Sequence, residues 1–457
     1  MEAWQALVHV CRRWRSIVFG SPRRLNLQIL ITSTDKTPVM DTLDVWPPLL
    51  LVVYGPYGSL TEGVDISNIV AVLEHRNRVD EIYLWQVNSS ALEKVLAAMQ
   101  EPFPELRDLR LSSYQETVPV VPDSFLGRSA PRLRYLELEG IPFPGLPKLL
   151  LSATNLVYLR LWNIPHSGYI SPDTVVTALS TLTSLQTLLL HFQSPRSHPD
   201  LEIRRLLPST RSVLPVLTFF LFKGVCEYLD DFVARIDAPQ LHHLDITFFN
   251  DIVFDAPRFI QFISRTPTLK PLENAFVVFR ECDVKVDSSQ ISGNGSLRSL
   301  TVEISCREFD WQVSSLELVC TLCLSLLSTL EKLYIFMDQS PHPHWQDKIE
   351  NTLWLELLHP FSAVKNLYLS KESVPHILPA LQELVEGGPT EVLPTLQNIF
   401  VEELQLSEPV QEYVRRFDHF VAMRQAIGHP IAVSHWDRKF THANPSIDAP
   451  DATPLSS

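Results

Sequence analysis

The sequence predicts an α/β fold, a solenoid with a curved parallel sheet inside and helices outside. Three observations predict it. A six-residue apolar pattern, L-x-x-L-x-L, recurs along most of the chain. Its copies keep a nearly constant spacing. The intervening segments carry apolar residues at helical intervals.

The pattern reads "VDEIYL" from Val79, "LRDLRL" from Leu106, "LRYLEL" from Leu133, "LVYLRL" from Leu156, "LQTLLL" from Leu185 and "LPVLTF" from Leu214. It continues as "LHHLDI" from Leu241, a degenerate "LKPL" from Leu269, "LRSLTV" from Leu297, "LEKLYI" from Leu330, "VKNLYL" from Val364 and "LQNIFV" from Leu396. Successive starts lie 23 to 34 residues apart. That is close to the period of a leucine-rich repeat, with the last units lengthened. Within each unit x-L-x-L-x is a strand whose leucines point inward at period two. The first leucine closes the core from the preceding turn.

Each element has its own justification, in chain order. Trp4, Leu7, Val10, Cys11, Trp14, Ile17 and Val18 fall at intervals of three and four and predict an amphipathic helix, stopped by Gly20 and Pro22, with Arg12, Arg13 and Arg15 on its other face. This helix is expected to pack on the first strands. "RLNLQI" and "LLLVVY" continue the strand rhythm as two irregular early units. Helical returns follow in "SALEKVLAAMQ", "SPDTVVTALSTL" with Ser171 as cap and Pro172 in the first turn, "EYLDDFVARI", "APRFIQFISRT" and "VPHILPALQELV". Prolines before the strands in "FPELRDL", "APRLRYL" and "APQLHHL" stop the helices and favour extended backbone. After Val401, "EPVQEYVRRFDHFVAMRQAIG" predicts a terminal helix and "HPIAVSHW" a last strand, ahead of a Pro-, Ala- and Ser-rich tail. The expected organisation is a helical segment over 1–24, about 12 to 14 repeats over 25–403, a cap over 404–440 and a disordered tail over 441–457.

Composition narrows function. The 457 residues are 45% hydrophobic and 20% charged, with a formal net charge of −14. Such a chain has ample core and repels phosphate backbones and anionic lipid, so neither nucleic acid nor membrane is an expected partner. Six scattered cysteines do not form a disulfide framework, and the Arg-rich start lacks a secretory apolar core. Cytoplasm or nucleus is the expected location. The sequons at Asn88 and Asn294 are then chance matches.

No motif argues for an enzyme. Cys320 and Cys323 form C-x-x-C inside an apolar run without a second pair, "SHWD" from Ser434 places three triad residue types side by side on a strand, and "HPHW" from His342 sits among prolines. Neither metal nor cofactor is expected. What remains is a surface. The x positions place Tyr83, Trp85, Arg110, Tyr135, Tyr158, Arg160, Trp162, His191, His243, Asp245, Tyr334, Phe336, Tyr368 and Phe400 on the concave face. Aromatic residues and arginine are the residue types that dominate protein-binding hot spots, although Tyr, Trp and Phe also simply suit strands. The densest group is Tyr158, Arg160 and Trp162, flanked by Arg110, Tyr135 and His191, and a partner with an acidic or aromatic segment would suit it.

The stretch "WQALVHVCRRWRSIVFGSPRRLNLQI" resembles the second half of an F-box joined to leucine-rich repeats, as in F-box proteins abundant in fungi. The "APQLHHLDITFF" and "GHPIAVSHWD" phrases are similar to that family more loosely. The resemblance implies that Trp4, Leu7, Val10, Cys11, Trp14 and Arg15 belong to a module that docks on the Skp adaptor of a cullin-RING ubiquitin ligase. It also implies that the repeats hold a protein substrate. The family's opening Leu-Pro pair and first helix have no counterpart after Met1, so an N-terminally truncated F-box with weak or no adaptor binding is expected. A stand-alone interaction scaffold, a plain capping helix and an Arg-rich presequence are the competing readings of the N-terminus.

Overall fold

The computed structural model describes residues 10–20, 28–32, 43, 49–55, 66–115, 117–195, 211–249, 256–269, 273–291, 297–322, 327, 329–337, 350–383, 392–402, 408–426 and 428–436. The chain forms two compact units, one of residues 1–270 with 291–302 and one of 271–290 with 303–457.

The first unit opens with helix α1 (Arg12–Gly20) and strands β1 (Gln28–Thr32) and β2 (Leu50–Tyr54). Then strands and helices alternate: α2 (Ile66–Leu73), β3 (Val79–Leu84), α3 (Ser89–Ala98), β4 (Asp108–Ser112), β5 (Tyr135–Glu139), α4 (Leu146–Leu150), β6 (Tyr158–Ile164), α5 (Pro172–Leu179) and β7 (Thr187–Phe192). A two-stranded sheet of β8 (Ser212–Val213) and β10 (Ile236–Asp237) lies apart from the main one. The main sheet continues through β9 (Phe219–Gly224) and β11 (His243–Phe249), separated by α6 (Cys226–Val233) and followed by α7 (Pro257–Arg265).

From β1 to β11 every pair of neighbours in the main sheet is parallel among the described residues, as strands joined by helical returns must be. The repeat leucines fall into lines across it. Leu109, Leu136, Leu159 and Leu188 are in register, as are Leu111, Leu138, Leu161 and Leu190, and all are buried. The caps follow the sequence. Asn88 Oδ1 accepts the Ala91 N–H at 2.8 Å, so this sequon asparagine closes α3, and Ser171 caps α5. Asp230, from α6, accepts the Arg258 and Phe259 N–H groups of α7 at 2.8 and 3.0 Å, a cap lent by one repeat to the next.

The second unit contains β12 (Asn274–Phe279) and β13 (Asp283–Ile291). β14 (Leu297–Ser305) returns to the first unit over its opening residues, where the Ser299 N–H donates to His242 O at 3.0 Å. α8 (Phe309–Leu322), β15 (Lys332–Met337), α9 (Asn351–Leu358), β16 (Asn366–Leu369), α10 (Val374–Glu383), β17 (Asn398–Glu402), α11 (Glu408–Ala426) and β18 (Ala432–Trp436) complete the second unit. β12, β15, β16, β17 and β18 pair in parallel in that order. Its core is aromatic: Phe279 meets Phe309 edge-on at 5.4 Å and Trp354 at 5.5 Å, and all three are buried.

Four expectations need correction. The unit placed at Leu214 starts at Leu217, because Leu188 pairs with Phe220 and Leu190 with Phe222. "LPVL" and "LTFF" both fit the pattern, and the second buries two phenylalanines. The unit placed at Leu269 is likewise three residues late. Ala275 and Val277 align with Leu333 and Ile335, three residues beyond the positions that a start at Leu269 implies. The sheet is not parallel throughout, since β13 runs antiparallel to β12. Only Arg280, Glu281 and Cys282 join them, too short for a parallel crossover, and Arg280 bonds to Asp283 through its backbone N–H and its guanidinium.

The fourth concerns the N-terminus. Trp4 and Leu7 lie outside the described residues. Val10 precedes α1, Cys11 and Arg15 are exposed, and Val10, Trp14 and Ile17 keep 65, 46 and 50% of their surface in solvent, so the expected packing of Val10 and Trp14 does not occur. Val18 is the one fully buried residue of α1. Arg12, Arg13 and Arg15 of its first turn are exposed as well, and burial begins only at the far end of the helix.

Candidate binding face

The x positions of β3 to β7 stand on the sheet face opposite the leucines. One row across it runs Glu81, Asp108, Tyr135, Tyr158 and Thr187; the next runs Tyr83, Arg110, Glu137, Arg160 and Leu189. Ser112, Glu139 and Trp162 form a third. Arg110, Tyr135, Tyr158, Arg160 and Trp162 are thus neighbours on three strands. Trp85 follows the end of β3, not within it, with its indole N–H buried and unbonded.

The guanidiniums are already engaged. Arg110 grips Asp108 with Nε at 3.0 Å and Nη2 at 3.1 Å while lying 5.2 Å from the centre of the Tyr83 ring. The Tyr83 hydroxyl sits 2.9 Å from Glu81 and 3.0 Å from Asp108. Arg160 Nη1 lies 3.1 Å from Glu137 Oε1, and its guanidinium stacks 4.6 Å from the Trp162 ring centre. Burial raises the Glu137 and Glu81 carboxyls above their ordinary range, against the pull of Arg160 and Arg110 on the first and of the Tyr83 hydroxyl on the second.

A bulge completes the group. Register breaks between Leu161 and Ile164, and Asn163 adopts a positive φ of 52°. The turned Asn163 N–H donates to His191 Nδ1 at 3.2 Å, which marks that nitrogen as the unprotonated one. His191 lies flat on Trp162 with ring centres 4.2 Å apart. Burial, with Lys223 nearby, lowers its pKa to about 4. The ring is neutral at physiological pH.

Tyr334 and Tyr368 belong to the second unit and form a different feature. Phe276, Tyr334, Tyr368 and Phe400 stack in succession across β12, β15, β16 and β17, with centres 4.5, 4.2 and 4.5 Å apart. Trp436 from β18 stands edge-on to Tyr334 and Tyr368. Asn398 Nδ2 donates to Asn366 Oδ1 at 2.9 Å in the next row.

The carboxylates Glu81, Asp108, Glu137 and Glu139 escaped a reading that selected aromatics and arginine, although their parity marked them for the same face. Among the described residues no His, Cys, Asp and Glu group could hold a metal ion, and no helix is long and apolar enough to cross a membrane. Cys320 is buried and Cys323 lies outside the described residues, as do His342 to Trp345. A cavity of about 20 Å³ lined by Leu138, Phe143, Leu161, Phe192 and Tyr228 is apolar and no larger than a water site.

The fold defines a strand-helix repeat protein of mixed α/β class with a large parallel sheet. No family model and no curated protein matches the chain. Among solved structures it is similar to the leucine-rich repeat-containing protein LegL7 from Legionella pneumophila, at 13% identity, covering 86% of this chain and 98% of that one with a TM-score of 0.30. A likeness so loose carries no argument.

Proposed function

We propose that the chain is a non-catalytic protein-binding receptor that holds a protein substrate on the face of β3 to β7, as the substrate-recognition subunit of a cullin-RING ubiquitin ligase. The observation that carries the receptor reading is the strip from Tyr83 to His191. Its aromatic and ionic side chains are held in place by one another, so little rotamer entropy is left to lose on binding. Tyr135, still 37% exposed, and Tyr158 leave an apolar shelf beside it.

The ligase link rests on α1. Its exposed Trp14 and Ile17 offer an apolar face for a Skp-type adaptor, as the F-box resemblance implies. The second reading is a stand-alone repeat scaffold with no ligase role. Affinity capture with wild type and a Tyr135→Ala/Trp162→Ala variant tests the receptor. Loss of the captured partner by more than about 2 kcal/mol, roughly thirtyfold, is expected. Equal recovery from a folded variant refutes it. Co-purification of the Skp adaptor separates ligase subunit from scaffold.

A further inference from the structure

Resting on that reading, we propose that the partner presents a basic side chain, lysine or arginine, to Glu137 and Glu139 on this face. Four carboxylates, Glu81, Asp108, Glu137 and Glu139, stand on the described x positions of β3 to β6 against two guanidiniums, Arg110 and Arg160. Both guanidiniums are spent on ion pairs, Arg110 with Asp108 and Arg160 with Glu137. Among the described residues Glu139 accepts from Asn163 Nδ2 at 3.4 Å and from the Tyr114 hydroxyl and has no ion pair. Its neighbour Glu137, with 4% of its side chain exposed, has Oε1 buried 3.1 Å from Arg160 Nη1 but without hydrogen-bond geometry.

A cation arriving between them would give Glu139 an ionic partner and Glu137 a second one beside Arg160. Trp162 and Tyr114 border the position, and aromatic rings attract a cation where water is scarce. An acidic segment, the partner chemistry that Arg160 and Trp162 alone imply, would instead meet Glu139 beside a Glu137 whose charge Arg160 already answers.

Binding of fluorescent peptides to the full chain tests this, with an alternating Lys-Ser peptide against an alternating Glu-Ser peptide of equal length. The Lys-Ser peptide is expected to bind preferentially, and Glu139→Gln, which keeps side-chain shape and hydrogen bonding, to weaken it by about tenfold. Glu139→Ala repeats the reading should the first variant fold poorly. The control Glu93→Gln/Glu101→Gln removes two exposed charges elsewhere and is expected to change little. Equal binding of both peptides, or a control loss as large as that of Glu139→Gln, overturns the proposal. Should a natural partner still depend on Tyr135 and Trp162 while Glu139→Gln leaves Lys-Ser affinity unchanged, the basic anchor falls and the docking face stands.

Discussion

The imidazole of His191 lies on the indole of Trp162, ring centres 4.2 Å apart and planes 17° from parallel. This contact joins β6 to β7, and burial with Lys223 nearby keeps the imidazole neutral. With a folded-state pKa of about 4 against 6.5 when unfolded, the unfolded chain binds more protons between those values. The contribution is therefore complete above pH 6.5 and lost as pH falls toward 4, by about 3 kcal/mol at most. Glu81 and Glu137, whose carboxyls are raised, act with the opposite sign. The readout is thus the difference between wild type and His191→Gln in denaturant unfolding at pH 7 and pH 4.5, where the variant should lose less stability on acidification.

Leu136 is fully buried while its neighbour Tyr135 is 37% exposed. Leu136→Ala should destabilise the protein by about 2 to 5 kcal/mol and Tyr135→Ala by under about 1 kcal/mol in the same unfolding measurement. Equal losses would contradict the inward assignment of the leucines.

Gly140 turns the chain after β5 with a φ of +68°, and a Cβ there would collide with the Ser113 carbonyl oxygen. Gly140→Ala should cost more than about 2 kcal/mol, since it combines backbone strain with a clash against backbone that cannot give way. Thermal unfolding measures it, and a neutral result would mean that the turn is drawn wrongly.

Tyr368 stands between Tyr334 and Phe400 in the second unit's ring ladder. Tyr368→Ala should cost about 2 to 4 kcal/mol and Tyr368→Phe no more than about 1 kcal/mol, because the stack needs the ring more than the hydroxyl.

Arg160 shows where reading residues singly fails. By parity it faces away from the leucines, which implies that its removal spares folding. In the structure Arg160 is the partner of buried Glu137. Arg160→Ala would strand that carboxylate at a cost of about 3 kcal/mol or more, and it should be made only with Glu137→Gln. A double-mutant cycle of unfolding free energies checks this coupling.

The strands from β3 to β7 were legible because leucines at fixed spacing admit one register, and a one-residue slip would expose every one of them. Leu214 against Leu217 was not, since two overlapping matches differ only in which buries Phe220 and Phe222. The β12–β13 hairpin was hidden by expecting every strand to return through a helix, although "FVVFRECDVKVD" shows two alternating runs across a short polar joint. The face itself was half legible. Its arginines and aromatic residues were found by parity, but the pairing of Arg110 with Asp108, and the bulge at Asn163 that brings His191 onto Trp162, depend on tertiary placement.

The proposed docking of a protein partner on the face of β3 to β7 requires a residue of that face to touch the partner. Photo-crosslinking tests it most directly, with a benzoylphenylalanine placed at Tyr135 on that face or at Leu151, exposed at the end of α4. The captured partner is expected to crosslink through position 135 and not through position 151. Crosslinking through 151 with none through 135 would contradict it.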